Sequence, residues 1–201
     1  MKQAHSSFVI RHSSFRVGGA SAFTVVELLV VMAIILVLAG LILATSGYVQ
    51  KKGARSRAEA EIAAMSAALE NYKADNGIYP SVSDTNALLP NKMGDPTQSE
   101  YEKASLALYK LISGDADNDP SRIAESKNYF NFKPNQLSPQ TQSVAVTSIK
   151  DPFGYSYGYS TAKASTPGGT DGYNPTFDLW STGNTVDAAS SPDQSQWIKN
   201  W

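Results

Sequence analysis

The chain has 201 residues, with 17 basic and 18 acidic side chains and no cysteine. Such a balance offers no basic surface for nucleic acid, and the lack of thiols excludes disulfides, zinc–thiolate sites and a cysteine nucleophile. Both histidines, His5 and His12, precede the first long apolar stretch, so the rest of the chain has no imidazole and an enzyme reading loses its commonest general base.

Residues 1–22 carry Lys2, Arg11 and Arg16 and no acid. A short repeat, His5-Ser6-Ser7-Phe8 and His12-Ser13-Ser14-Phe15, lies within them, and no chemistry follows from it. From Phe23 to Ala44 the residues are apolar or small, broken by one acid, Glu27. As a helix at about 1.5 Å per residue this run covers roughly 33 Å, close to the ~30 Å hydrocarbon core of a bilayer. A carboxylate near the start of a membrane segment is costly and calls for a partner. The basic leader favours a cytoplasmic N-terminus, with everything after about Gly47 on the far side of the membrane. Lys51, Lys52, Arg55 and Arg57 run against that rule. On residues alone the run also fits a secretory signal cleaved after Ala44-Thr45-Ser46, or an uncleaved anchor.

The basic leader, the small Ala22, the Phe23-Thr24-Val25-Val26-Glu27 block and the bare apolar run together resemble the processing site of the type IV pilin and pseudopilin superfamily. The resemblance implies that a prepilin peptidase cuts between Ala22 and Phe23, that the new Phe23 amine is methylated, and that Glu27 pairs with this amine on a neighbouring subunit. Ala22 stands where the family usually has Gly. Cleavage would remove three of the 17 basic residues, leaving 14 against 18 acids, a formal charge of −4.

From Tyr48 the pattern becomes striped. Ala58, Ile62, Met65, Leu69 and Tyr72 recur at spacings of 4, 3, 4 and 3, one face of a helix, and that face is core. Asn76-Gly77, then Pro80, stop it, so a single helix of about fifty residues is expected from Phe23 to Asp75. The stretch from Arg57 to Met65 and the end Tyr72-Lys73-Ala74-Asp75-Asn76-Gly77-Ile78-Tyr79-Pro80 are similar to the major pseudopilins of type II secretion. That family often has Pro where this chain has Ala44; Gly40 and Gly47 remain as weak points, each costing about 1 kcal/mol relative to Ala.

Residues 82–150 are polar and longer than the resemblance leads one to expect. A helix is expected at about 99–113 on Leu106, Leu108, Tyr109, Leu111 and Ile112, with short strands at Tyr129–Phe132 and Val144–Val146. Asp115 to Pro120 has the look of a calcium loop but lacks the Gly and Glu an EF-hand requires, and reads as a solvated turn.

In residues 151–201, Asp151-Pro152-Phe153-Gly154 predicts a turn, and Tyr155, Tyr157 and Tyr159 predict one face of a strand. Tyr173 to Trp180 predicts its antiparallel neighbour. These blocks, with Ile198-Lys199-Asn200-Trp201, resemble the pseudopilin C-terminus, where the loop binds one Ca²⁺. Thr185 and Trp197 stand where that family has Asp, so the resemblance leaves Asp187 and Asp193, with the carbonyls of Leu179 and Thr182, as stand-in ligands.

The expected fold is α+β, a long N-terminal helix packed on a small antiparallel sheet, pilin-like. The segments are a leader (1–22), an apolar membrane and assembly helix (23–47), its amphipathic continuation and stop (48–81), a variable region (82–150) and the sheet with its C-terminal loop (151–201). The function implied is a non-enzymatic, single-pass inner-membrane protein with a periplasmic domain. Its subunits would self-assemble into a pseudopilus, with the prepilin peptidase, the type II secretion inner-membrane platform and minor pseudopilins as partners and Ca²⁺ as a conditional ligand. A surface type IV pilin is the alternative within the family, and a membrane-anchored periplasmic binding protein the alternative outside it.

Overall fold

The computed structural model describes residues 23–201, which divide into two compact units between Gly47 and Tyr48. Helix α1, Val25–Asn76, is 52 residues long and belongs to both. In the first unit it is apolar on all sides, and every side chain from Phe23 to Leu43 is exposed. Among the described residues of the unit none covers them.

In the second unit α1 is amphipathic. Ala58, Ile62, Met65, Ala68 and Leu69 are buried, while Tyr72 is half-buried and packs on Tyr129 at a ring-centroid distance of 5.1 Å. The buried stripe joins Leu108, Tyr109 and Ile112 of α3 (Ser99–Ser113), the sheet residues Ile149, Tyr159, Leu179 and Ile198, and Tyr157 just before its strand, in one core. Gly77 ends α1 with φ +78° and a 2.7 Å bond from its N–H to the Lys73 carbonyl, the left-handed cap expected of Asn-Gly. Helix α3 ends the same way at Gly114, φ +83°. A short helix α2, Ser83–Ala87, lies between the two.

Two small antiparallel sheets complete the unit. One pairs β1 (Leu137–Ser138) with β2 (Ser148–Ile149); the other has the order β3 (Gly158–Ser160), β4 (Asp178–Ser181), β5 (Ile198–Lys199), with the short helix α4 (Ala162–Ser165) after β3. Gly158 faces Trp180 so closely that a Cβ there would come within 2.2 Å of the indole. That contact opens a second cluster, Leu88, Tyr101, Ala104, Trp180 and Trp197.

Four expectations are corrected. Tyr129–Phe132 is not a strand: the N–H groups of Tyr129 and Phe130 both donate to the Ile112 carbonyl, at 2.8 and 2.9 Å, closing the end of α3 instead of a ladder. Val144–Val146 is not a strand either, because the Asn118 amide takes both backbone groups of Val146, at 3.1 and 2.9 Å, in place of a neighbouring strand. The strands around β3 and β4 are shorter than expected, since the N–H groups of Tyr155, Tyr173 and Asn174 turn inward to the carboxylates of Asp151 and Asp178. Asp115 departs from the solvated turn as well, being buried beneath the Tyr109 hydroxyl, 2.7 Å away.

Ser105 ties α3 to β2: its Oγ accepts from the Ile149 N–H at 2.7 Å and donates to the Ile149 carbonyl at 3.1 Å, all fully buried. Ser105→Ala leaves the Ile149 N–H unpaired, while the Ile149 carbonyl keeps the Tyr157 N–H at 3.0 Å, and is expected to cost about 1–3 kcal/mol, read as a lower urea midpoint at unchanged slope.

Candidate functional site

The first candidate is the start of α1. Thr24 precedes the first helical residue and Glu27 sits in the first turn. Glu27 Oε2 accepts from the Thr24 N–H and from the Thr24 hydroxyl, each at 2.8 Å, and the Glu27 N–H donates back to Thr24 Oγ1 at 3.2 Å. This is a reciprocal capping box, which satisfies N–H groups that a helix start leaves without intrahelical partners. Its signature, Thr-x-x-Glu, stands in the sequence at Thr24 to Glu27 and adds an intrachain partner to the one expected of this acid. Phe23 is 84% exposed. Ala22, the other side of the expected cleavage position, lies outside the described residues.

The helix that follows contains an 18-residue window of mean hydropathy 3.1, none of it buried, long and apolar enough to cross a membrane. An acid inside the first turn complements the helix dipole, so Glu27 is placed where a carboxylate does the least harm to such a helix.

The second candidate is the C-terminal loop between β4 and β5. The Leu179 carbonyl accepts the Asn200 N–H at 3.2 Å, and the Thr182 carbonyl accepts the Thr185 N–H and hydroxyl at 3.2 and 2.6 Å. Asp187 takes the N–H groups of Ala189 and Asp193, at 2.9 and 2.8 Å, and Asp193 in turn takes the N–H and hydroxyl of Ser195, at 2.9 and 3.1 Å. The structure therefore brings Asp187 and Asp193 together in one turn. All four groups are of the hard oxygen type that calcium selects, and each already holds a hydrogen bond within the chain. The loop is fastened elsewhere too: Asp187 N–H donates to the Gly94 carbonyl at 3.2 Å, and Arg55 donates to the carbonyls of Gln196 and Trp197 at 3.0 and 3.4 Å.

Oxygens of Asp115, Asp117 and Asp119 lie within 4.8 Å of one another in the turn after α3. Asp115 is held by the Tyr109 hydroxyl and the Asn118 N–H, Asp117 accepts the Asp119 N–H, and Asp119 accepts the N–H groups of Ser121 and Arg122. These bonds explain the turn without an ion.

Behind the C-terminal loop, Asp151 organises the Asp-Pro-Phe-Gly turn. One oxygen accepts the N–H groups of Phe153 and Tyr155, at 3.0 and 2.9 Å, and the other accepts the Ser181 hydroxyl of β4 at 2.5 Å. The turn was legible in the sequence, but its bond to β4 was not, because Ser181 is thirty residues away. Comparisons of the chain with protein-family models, with curated proteins and with solved structures find no match.

Burial pushes the Asp151 carboxyl above its ordinary value against the pull of its hydrogen bonds. The N–H donors of Asp193 and Ala189 hold Asp187 below its own. The two therefore act on stability with opposite signs. The Asp151 contribution is fully present below the unfolded value, about 3.9, and is lost as pH rises through its raised folded value. The Asp187 contribution is present above about 3.9 and lost as pH falls through its lowered value. A carboxyl-resolved carbon NMR titration of the full chain in detergent is expected to show Asp151 titrating above Asp187, and Asp151→Asn to remove only the former dependence.

Proposed function

We propose that this protein is a structural subunit of a helical filament, anchored in the inner membrane before assembly and, of the two filament types, a pseudopilus of type II secretion. The observation that carries the reading is α1 itself: 52 unbroken residues, apolar but for Glu27 and exposed as far as Leu43 in the first unit, striped and packed in the second. An uncovered apolar helix needs lipid or its own copies around it, and a filament supplies the copies when the subunit leaves the bilayer. The Phe23–Glu27 block adds the processing step, with prepilin peptidase cutting between Ala22 and Phe23 and methylating the Phe23 amine. On this reading the leader stays cytoplasmic, the second unit is periplasmic, and the platform proteins and minor pseudopilins are the partners. The function is mechanical and not catalytic.

Glu27 then has two tasks. Through Oε2 it caps its own helix, and a carboxylate accepts more than two hydrogen bonds, so it can also take the Phe23 amine of the next subunit. Burial of that pair sets register more than it adds stability. The C-terminal Asp-Pro-Phe-Gly and Phe-Asp-Leu-Trp-Ser blocks favour the pseudopilus over a surface pilus. In the C-terminal loop, Asp187 and Asp193 fasten the turn in the way a cation fastens it in the resembled family; calcium, where it binds, would add to that closure through the same two carboxylates and the carbonyls of Leu179 and Thr182.

Two measurements test the reading. Intact mass and N-terminal sequencing of the protein from membranes holding a prepilin peptidase should give N-methylated Phe23; cleavage after Ser46 or an intact leader would overturn it. Glu27→Gln keeps a carbonyl to accept the Thr24 cap but removes the charge. It is expected to insert normally and to fail in filament assembly when filaments are counted by electron microscopy after crosslinking. Filaments at wild-type numbers from Glu27→Gln would dismiss the role of the charge.

A further inference from the structure

Lys51, Lys52 and Arg55 sit on the side of the membrane segment where the charge rule disfavours them, and the filament reading leaves them without a task. With Tyr48 they fall at spacings of 3, 1 and 3, which places all four on one helix face. That face forms one wall of a cleft of about 530 Å³, closed on the other side by Phe153, Asn184, Thr185 and Gln196, with no carboxylate lining it. Arg55 is held in place by the carbonyls of Gln196 and Trp197 and by Glu59, 3.3 Å from its Nε. Lys51 and Lys52 are exposed and in no ion pair among the described residues. Tyr48 is 72% exposed, an amphipathic ring of the kind that settles at membrane interfaces.

We propose that this face docks on the head groups of anionic phospholipids, with Lys51 and Lys52 on the phosphodiesters and Tyr48 at the acyl boundary. Chain continuity favours lipid over a soluble anion. Lys51 comes seven residues after Ala44, where the apolar run of the sequence ends, about 10 Å along a helix. The head-group layer extends roughly 5–8 Å beyond the hydrocarbon, and a lysine stem reaches back toward it. The charge that violates the topology rule thus gains a partner in the far leaflet. The proposal rests only on the apolar half of α1 being membrane-embedded, and not on filament assembly.

The test uses the full chain reconstituted at low density in phosphatidylcholine vesicles, with trace spin-labelled phosphatidylglycerol or phosphatidylcholine. Each basic residue near an anionic head group is worth roughly fivefold in association. The motionally restricted fraction should therefore favour phosphatidylglycerol severalfold, and Lys51→Gln/Lys52→Gln should bring the ratio close to one. Lys103→Gln/Lys110→Gln, on α3, should leave it unchanged. Selectivity that survives Lys51→Gln/Lys52→Gln overturns the proposal. So does selectivity abolished by inorganic phosphate at constant ionic strength, which would assign the face to a free anion. A chain that alkaline carbonate strips from the vesicles fails at the earlier step, the membrane segment itself, and is told apart by that wash.

Discussion

The second unit depends on one stripe of small and apolar side chains. Ala58, Ile62, Met65 and Leu69 bring α1 onto α3 and the sheets, and no strand is long enough to make a core without them. Sheets of two and three strands, each strand of two to four residues, are far below the size that is stable alone. The helix is therefore the scaffold and the strands its covering. This order of dependence is what the proposed filament subunit would need, a helix that keeps its shape when its surroundings change from lipid to protein.

Because the strands are so short, polar side chains take over bonds that ladders make elsewhere. Ser105 closes both main-chain groups of Ile149, Asn118 those of Val146 and Asn200 those of Leu179, the last through its Oδ1 at 2.9 Å and its own N–H at 3.2 Å. Asp151 and Asp178 each gather two N–H groups from the turns around them. Burial pushes both carboxyls up, so the fold carries an electrostatic load in return for defined turns. A buried carboxylate with two or three donors is tolerable where an unpaired N–H would not be.

The same facts explain what could be read from the residues. The helix stripe, the Asn-Gly and Gly caps and α3 were legible because their signals lie within a few positions of one another. The Asp-Pro-Phe-Gly turn and the pairing of the Tyr159 and Leu179 segments were legible for the same reason. The false strands at Tyr129–Phe132 and Val144–Val146 have strand composition, and what overrules it lies elsewhere: the open carbonyl of Ile112 and the amide of Asn118, whose partner is 28 residues away. Burial of Asp115 was illegible for want of any local mark of the Tyr109 hydroxyl above it. The Thr24–Glu27 capping box is as local as the other signals, marked by Thr-x-x-Glu, and it adds a helix-capping service to the partner expected of the acid.

That service changes how the acid should be weighed. A carboxylate isolated in a membrane segment would demand an intermolecular partner to be tolerated at all. One that already caps its own helix and sits at the positive end of the dipole is tolerated before any partner arrives. On the proposed filament reading, the monomer waits in the membrane at lower cost, and a neighbour's amine would add a contact to a carboxylate that is already oriented. Holding Oε2 on Thr24 fixes the plane of the carboxylate and so the direction from which a cation can approach. A preset acceptor loses less freedom on pairing than a mobile one. On that reading the cap and the proposed intersubunit pair are consecutive uses of one side chain, the first making the second directional.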